Sequence, residues 1–367
     1  MLPGYSYVRP LGSGGFADVF LYEQDMPRRV VAVKVLVDDA INPEVLRTFN
    51  AETDILARLS AHPSIVTIYQ ASISGDGRPY FVMEYCPDNM GARYKKAPLP
   101  VNEVLDVGVR LAAALETAHR SGVLHRDIKP SNVLVTVLGA PVLADFGIAA
   151  AAVRADEEGQ TLAMSVPWSS PEVLQGETTG SVAAEVWSLG ATLYTLLAGR
   201  APFELPSGER IPRHQLQERT VKSKYVPTGR TDLPPRLDAA LVRCLDKNPA
   251  NRFSSMFELA EELRWAQYEL GLSPTPLDVV DPSWASAAVQ TDETAFAQRG
   301  PEISTVKQDS RRALRAQTLA SAQRQSKHGE AERPPANSSR KSAILGAAIG
   351  AGVVAVIAAV VIVMLGR

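Results

Sequence analysis

The sequence predicts an α+β fold followed by a membrane-spanning segment, and three observations lead to this prediction. Short apolar runs separated by turn-forming residues, the pattern of β-strands, are concentrated before residue 85. Long amphipathic or wholly apolar stretches, which favour helices, dominate residues 101–270. Among them, residues 101–121 carry a wide apolar stripe, and residues 182–198 are nearly all apolar, which predicts a buried helix. Near the end of the chain, residues 343–365 form a run of 23 residues without a charged side chain.

Composition limits the function without assigning it. The chain has 367 residues, of which 46% are hydrophobic, and this is ample for a core. Its net charge of -2 gives no indication of nucleic-acid binding. Cys86 and Cys244 lack neighbouring metal ligands, so we interpret them as reduced packing residues in a reducing compartment. The N-terminus has neither the basic start nor the apolar run of a secretory signal.

A glycine-rich segment separates the first two predicted strands. Residues 5–22 indicate strand, turn and strand, and around the turn lie Leu11, Gly12, Ser13, Gly14 and Gly15. Glycine lets a backbone approach phosphate groups and point its N–H groups at them, although an isolated turn of this kind is more often an ordinary hairpin. The next apolar strand ends in Lys34, whose apolar neighbours indicate a half-buried position rather than a solvated one.

One helix and two more strands complete this first part of the chain. Apolar residues recur at helical spacing over residues 43–59, and Glu52 lies in the middle, with Glu44 and Asp54 as alternative acids. The runs 65–72 and 79–84 indicate strands joined by a glycine-containing turn.

Residues 125–132 and 145–147 carry the groups that can do chemistry. Asp127 can accept the proton of an attacking hydroxyl. Asn132 and Asp145 offer oxygen ligands to Mg2+, a cation that prefers oxygen. One carboxylate for the nucleophile and two groups for the metal are what a phosphate-transferring site needs.

Two short strands should bring these groups together. Apolar runs over residues 133–138 and 141–144 predict a hairpin that turns at Gly139. Such a hairpin returns Asp145 to the side of Asn132.

These motifs resemble the eukaryotic-type (Hanks-type) serine/threonine protein kinases, in particular bacterial, actinobacterial-like members. Residues 125–132 match the catalytic loop H-R-D-x-K-x-x-N, and residues 145–147 match D-F-G, at every specified position. The glycine-rich turn and the strand ending in Lys34 resemble two further motifs, with Ala17 in place of a third glycine. The resemblance covers about residues 5–268 and implies a two-lobed protein kinase fold, with a β-rich first lobe and a helical second lobe.

The resemblance implies an ATP site in the first lobe. Lys34 would hold the nucleotide phosphates and pair with Glu52, which we prefer to the other acids because it precedes the H-P-x-I-V turn at His62 by about ten residues. Met83 would guard the back of the adenine pocket. The residues implied to bind ATP are Leu11, Gly12, Ser13, Gly14, Gly15, Val19, Ala32, Lys34, Glu84, Cys86 and Leu134.

The catalytic roles follow from the same resemblance. Asp127 would be the base, and Lys129, typical of kinases that modify serine and threonine, would contact the transferred phosphate. Asn132 and Asp145 would bind Mg2+, with Mn2+ as an alternative.

Residues 148–170 resemble the activation segment of the family. We expect autophosphorylation at Thr161, with Ser165 as a second candidate and an unmodified loop as the alternative. Ser165 also stands where the family usually has a threonine that contacts the catalytic aspartate and lysine. Glu172 would form a buried ion pair with Arg252.

Two functions of different classes stay open. The first is a serine/threonine protein kinase that uses ATP to phosphorylate protein substrates and itself in membrane-associated signalling. The second is a membrane-anchored pseudokinase scaffold, favoured by the unusual activation segment and by Glu185, where the family has an aspartate that braces the catalytic loop. A small-molecule phosphotransferase fits less well, because Lys129 and the Pro171-Glu172 sequence resemble protein kinases.

The rest of the chain predicts a tether and an anchor. Residues 269–342 are rich in Pro, Ser, Ala, Gln and Thr, which indicates a disordered juxtamembrane linker. A helix over residues 343–365 would be about 35 Å long, enough to cross a bilayer core of about 30 Å. Between residues 307 and 341, nine Lys and Arg stand against three Asp and Glu. This charge places the kinase domain in the cytoplasm and the C-terminus outside, on a single-pass protein of the cell membrane.

Membrane anchoring leads to two hypotheses about partners. Gly346 and Gly350 have a spacing that permits close helix pairing, so we hypothesise a homodimer that assists autophosphorylation. The basic linker can lie on anionic lipid.

Overall fold

Residues 2–14, 17–36, 53, 56–146, 165–205, 207–209, 211–222 and 224–280 are described by the computed structural model. The chain divides into two units, Met1–Thr291 and Asp292–Arg367, and every described residue lies in the first. In this described part of the chain, no helix is both long and apolar enough to cross a membrane. The predicted span 343–365 and most of the linker lie outside it.

An antiparallel sheet of five strands, in the order β1-β2-β3-β5-β4, forms the first lobe. Side chains alternate across a strand, so Val31 and Val33 pack in a cluster on one face while Ala32 packs in a separate cluster on the other, the face that Lys34 shares. The strands are β1 (Tyr5–Ser13), β2 (Ala17–Gln24), β3 (Arg29–Leu36), β4 (Ile68–Ile73) and β5 (Pro79–Glu84).

A small second sheet holds the segment between the candidate metal ligands. It consists of β6 (Asp88–Asn89), β7 (Val133–Val135) and β8 (Pro141–Leu143), and β7 pairs antiparallel with β8. The predicted hairpin is therefore confirmed, although its strands are shorter than expected. Thr136 N donates to Ala140 O at 3.0 Å and closes a turn over residues that the apolar pattern had assigned to the strands.

The second lobe is helical, and its core surrounds one buried helix. The helices predicted over residues 101–121 and 182–198 are confirmed as α2 and α4. Since α4 is apolar around its circumference, Trp187, Leu189 and Tyr194 are all fully buried. The helices are α1 (Met90–Lys96), α2 (Val101–Arg120), α3 (Pro171–Leu174), α4 (Val182–Ala198), α5 (Arg213–Lys222), α6 (Pro235–Cys244) and α7 (Met256–Glu269).

Helices α4 and α6 approach closely at Gly190. A Cβ atom built on Gly190 would overlap the Cβ atom of Cys244, so only a residue without a side chain fits there. Cys244 is a free, buried cysteine, and burial raises the pKa of its thiol. This is the packing role expected from the sequence.

We expect Gly190→Ala to lower the free energy of unfolding by about 1–3 kcal/mol, because the added methyl group must push α4 and α6 apart. Urea unfolding followed by circular dichroism measures the change. Gly75→Ala is the control, since a Cβ atom at Gly75 meets no atom within 4 Å. Equal unfolding midpoints for Gly190→Ala and the wild-type protein would contradict the packing argument.

The linker prediction is wrong for residues 269–280, which pack against the second lobe. Glu269 ends α7. Thr275 is only 5% exposed, and its hydroxyl donates to Asp106 Oδ1 at 2.8 Å. Leu277 packs against the main core. Composition indicated disorder because the segment 269–342 as a whole is rich in Pro, Ser and Thr, but at its start Thr275 finds hydrogen-bond partners on the helices.

Candidate active site

The catalytic loop lies between α2 and β7 in a conformation that few residues adopt. Arg126 and Asp145 have φ angles of 65° and 59°, in the left-handed region that non-glycine residues rarely occupy. Hydrogen bonds hold these segments. Arg126 N donates to Glu185 Oε1 at 2.6 Å, and His125 Nε2 donates to Ala144 O at 2.9 Å. Complete burial lowers the pKa of His125, which is consistent with a neutral ring.

Asp127 is held by three side chains that fix both of its oxygens. Ser165 Oγ donates to Asp127 Oδ1 at 2.8 Å. Lys129 Nζ lies 2.7 Å from Asp127 Oδ2 and also donates to Ser165 Oγ at 2.9 Å. Asn132 Nδ2 donates to Asp127 Oδ2 at 3.0 Å. The carboxylate is thus oriented and still 35% exposed, so a hydroxyl-bearing substrate can reach it.

Lys34 reaches across from the first lobe to Asp145. Its Nζ lies 2.6 Å from Asp145 Oδ1, and the two side chains are 24% and 44% exposed. Burial in the cleft opposes ionisation of Asp145, but the charge and hydrogen bond of Lys34 outweigh it and hold the pKa of this carboxyl below its usual range. Asp145 is therefore an anion at neutral pH.

Asn132 and Asp145 fit the predicted Mg2+ site. Ala144 N donates to Asn132 O at 2.9 Å, so the two residues lie on hydrogen-bonded segments. Because Asn132 Nδ2 donates to Asp127, the amide offers its Oδ1 as the ligand atom. An amide oxygen and an ionised carboxylate are hard donors of the kind that Mg2+ uses when substrate phosphates complete its coordination.

An apolar cluster lies between the lobes at the predicted adenine site. Buried Ala32 and Met83 of the first lobe pack in one cluster with Val142 and Ala144. The other predicted members, all partly buried in that cluster, are Leu11, Val19, Cys86 and Leu134. Gly12 and Ser13, the last residues of β1, and Gly14 after them are exposed. Glu84 ends β5, and its amide donates to Thr67 O at 2.9 Å. An apolar slot of this kind suits a flat aromatic ring.

Comparison with known proteins identifies the family. The model of the protein kinase domain family matches residues 5–266. The chain belongs to the protein kinase family. Serine/threonine-protein kinase PknK of Mycobacterium tuberculosis is 40% identical over 283 residues, which cover 75% of this chain and 25% of that protein. PknB of Mycobacterium leprae is 33% identical over 262 residues, which cover 69% of this chain and 41% of that protein.

The kinase fold is also that of a solved relative. A crystal structure of the PknI kinase domain of Mycobacterium tuberculosis, carrying one cysteine-to-alanine mutation, is 30% identical with a TM-score of 0.55, over 72% of this chain and 96% of that one. The predicted family and two-lobed fold are confirmed. The chain spans about a quarter of the length of PknK and about two fifths of that of PknB.

In this kinase Glu185 makes the bracing contact expected of the shorter aspartate. While Oε1 accepts from the amide of Arg126, Oε2 lies 2.6 Å from His119 Nε2 on α2. Both side chains are almost fully buried, with 4% and 7% exposed. The longer carboxylate therefore spans from α4 to α2 and to the catalytic loop.

The kinase also contains the ion pair that the sequence implied. Arg252 donates two hydrogen bonds to the Glu172 carboxylate, at 2.6 and 2.9 Å, and the side chains are 0% and 9% exposed. Burial favours the neutral form of Glu172, but Arg252 outweighs it and lowers the pKa of Glu172 overall. Arg252 also donates to Ala183 O at 3.0 Å, which ties the pair to α4.

Some of the predicted site residues and motif positions lie outside the described residues, namely Gly15, Glu52, Gly147 and Thr161. Sequence reasoning missed His119 and Ala144. Ala144 directly precedes Asp145 and could have been found from that position. No nearby sequence pattern marked His119 as a site residue, because its partner Glu185 lies 66 residues later in the chain.

Proposed function

We propose that this chain is a serine/threonine protein kinase that transfers the γ-phosphate of ATP to hydroxyl groups of protein substrates. The observation that carries the proposal is the arrangement of Lys129 and Ser165 around the partly exposed carboxylate of Asp127. The two relatives compared above, PknK and PknB, are both named serine/threonine-protein kinases. The contacts of Glu185 with the catalytic loop favour an active enzyme over the pseudokinase scaffold.

The geometry supports direct transfer from ATP to the substrate. Asp127 accepts the proton as the substrate oxygen attacks the γ-phosphorus, and the bond to the bridging oxygen of ADP breaks. The ammonium of Lys129, held between Asp127 and Ser165, offsets negative charge on the transferred group. Lys34 holds the nucleotide phosphates, and the interlobe cluster around Ala32 holds the adenine.

The proposed metal ligands are Asn132 and Asp145. When bound, Mg2+ would neutralise charge on the ATP phosphates, and Mn2+ is an alternative ion. The close contact of Lys34 with Asp145 supports this assignment, because it keeps the carboxylate ionised next to the phosphate site.

We further propose that the kinase is anchored in the cell membrane by residues 343–365, with the catalytic domain in the cytoplasm and the C-terminus outside. The uncharged run of 23 residues and the basic sequence before it support this. Autophosphorylation at Thr161 or Ser165 and pairing through Gly346 and Gly350 belong to the same proposal.

Transfer of labelled γ-phosphate tests the proposal. We expect the full chain with ATP and Mg2+ to label itself or a general protein acceptor, with the label on phosphoserine and phosphothreonine. Chelation of the metal should abolish transfer, and added Mg2+ should restore it. ATP binding without transfer to any acceptor would support a scaffold instead, and label on tyrosine would contradict the assigned specificity.

A further inference from the structure

Residues 272–280, here called the tail strap, run back over the second lobe after α7. Leu272 N donates to Gln267 O at 3.0 Å. Thr275 is held on both sides, since its amide donates to Gln267 Oε1 and its hydroxyl to Asp106 Oδ1, each at 2.8 Å. At the other end, Val280 N donates to Thr117 Oγ1 of α2 at 3.1 Å. The strap is therefore fixed to α2 and α7 at several points.

Between these points the strap contacts the turn at residues 62–66, which precedes β4 in the first lobe. Asp278 O accepts a hydrogen bond from His62 Nε2 at 2.5 Å, and His62 is only 2% exposed. Ser64 N donates to His62 Nδ1 at 3.0 Å, so the ring carries its proton on Nε2 and is neutral. Burial lowers the pKa of His62, which agrees with a neutral ring. The ring of His62 thus connects the strap to the turn at residues 62–66.

The same turn is hydrogen-bonded to the strand that leads to Asp145. Leu143 N donates to Ser64 O at 2.9 Å, and Val66 N donates to Leu143 O at 3.0 Å. Leu143 ends β8 and precedes Asp145 by two residues. A continuous series of hydrogen bonds therefore runs from Asp278 through His62 and Ser64 to β8.

We propose that the tail strap is a positioning element of the phosphotransfer site, with Thr275 and His62 as positioning residues that hold β8 and Asp145 in place. The inference rests on the proposed function for its effect on rate. A displacement of about 1 Å at a metal ligand can cost a large factor in rate, so loosening the strap should slow transfer without altering the groups that react.

Variants of Thr275 in the full chain test the proposal. Thr275→Val removes the hydroxyl that donates to Asp106 Oδ1 and accepts from Gln267 Nε2. We expect a several-fold fall in kcat with KM for the protein substrate nearly unchanged. Thr275→Ser keeps the hydroxyl and should keep the wild-type rate. Thr220→Val is the matched control, because Thr220 is also buried and its hydroxyl donates to Leu216 O within its own helix, α5.

Amide hydrogen exchange supplies a readout that does not need activity. In Thr275→Val, but not in Thr220→Val, exchange should quicken at the amides of Ser64, Val66 and Leu143. His62→Asn gives a second route, since asparagine can still accept from Ser64 N but cannot reach Asp278 O. It should reproduce the effects of Thr275→Val, and the double variant should show less than additive loss because both changes break one connection.

The outcomes separate the two proposals. If the wild-type chain transfers no phosphate, the proposed function fails, while exchange still decides whether the strap holds the turn. Unchanged exchange at Ser64 to Val66 in both variants, or wild-type kcat in both, would overturn the positioning role. Should Thr275→Val fail to fold, His62→Asn alone decides.

Discussion

Replacing Asp127 with asparagine should reduce kcat for phosphoryl transfer by about 10²–10⁴-fold, the usual contribution of a general base. Asparagine has nearly the same size but cannot take the proton of the attacking hydroxyl. The adenine cluster and Lys34 are untouched, so the Kd for ATP should change little. Initial rates with varied ATP and acceptor, together with calorimetric titration of ATP, measure both quantities on the full chain.

The control is Asp76→Asn, in the exposed turn between β4 and β5, where the Asp76 carboxylate accepts hydrogen bonds from its neighbours Ser74 and Arg78. It should leave kcat unchanged. A wild-type rate in Asp127→Asn would show that another group takes the proton, and the assignment of Asp127 as the base would then be wrong.

Local patterns in the sequence were sufficient for the parts of the site that lie close together along the chain. The apolar runs on either side of Gly139 predicted the hairpin, and the hairpin places Asp145 beside Asn132. The wholly apolar pattern of residues 182–198 predicted a buried helix, which is α4. In each case the signal is a periodicity or a turn residue, which acts over a few residues.

Contacts between segments that lie far apart in the sequence could not be predicted from such local patterns. His119 meets Glu185 66 residues later, and Thr275 meets Asp106 169 residues earlier. Neither pair has a sequence spacing that marks it. The composition of residues 269–342 predicted disorder, because composition counts Thr275 as a polar residue and does not show the buried partners with which it forms hydrogen bonds.

Replacing Arg252 with methionine should lower the free energy of unfolding by about 3–5 kcal/mol, because the change leaves the Glu172 carboxylate buried without its partner. Lys222→Met is the control. Lys222 pairs with Glu218 at 3.5 Å with both side chains more than 60% exposed, and such pairs contribute about 0–1 kcal/mol. Urea unfolding at pH 7 measures both changes, and equal effects would contradict the role of burial.

The pH dependence of the Arg252→Met effect identifies its cause. In the wild-type protein the pKa of Glu172 lies below that of the unfolded chain, so its stabilising contribution is present at neutral pH and is lost as the pH falls through the folded-state pKa. In Arg252→Met the carboxyl can instead bind a proton and become neutral. The difference between the two proteins should therefore shrink on acidification. A difference that stays constant down to about pH 4, near the ordinary pKa of a glutamate, would assign the destabilisation to lost packing against Trp187 rather than to the unpaired charge.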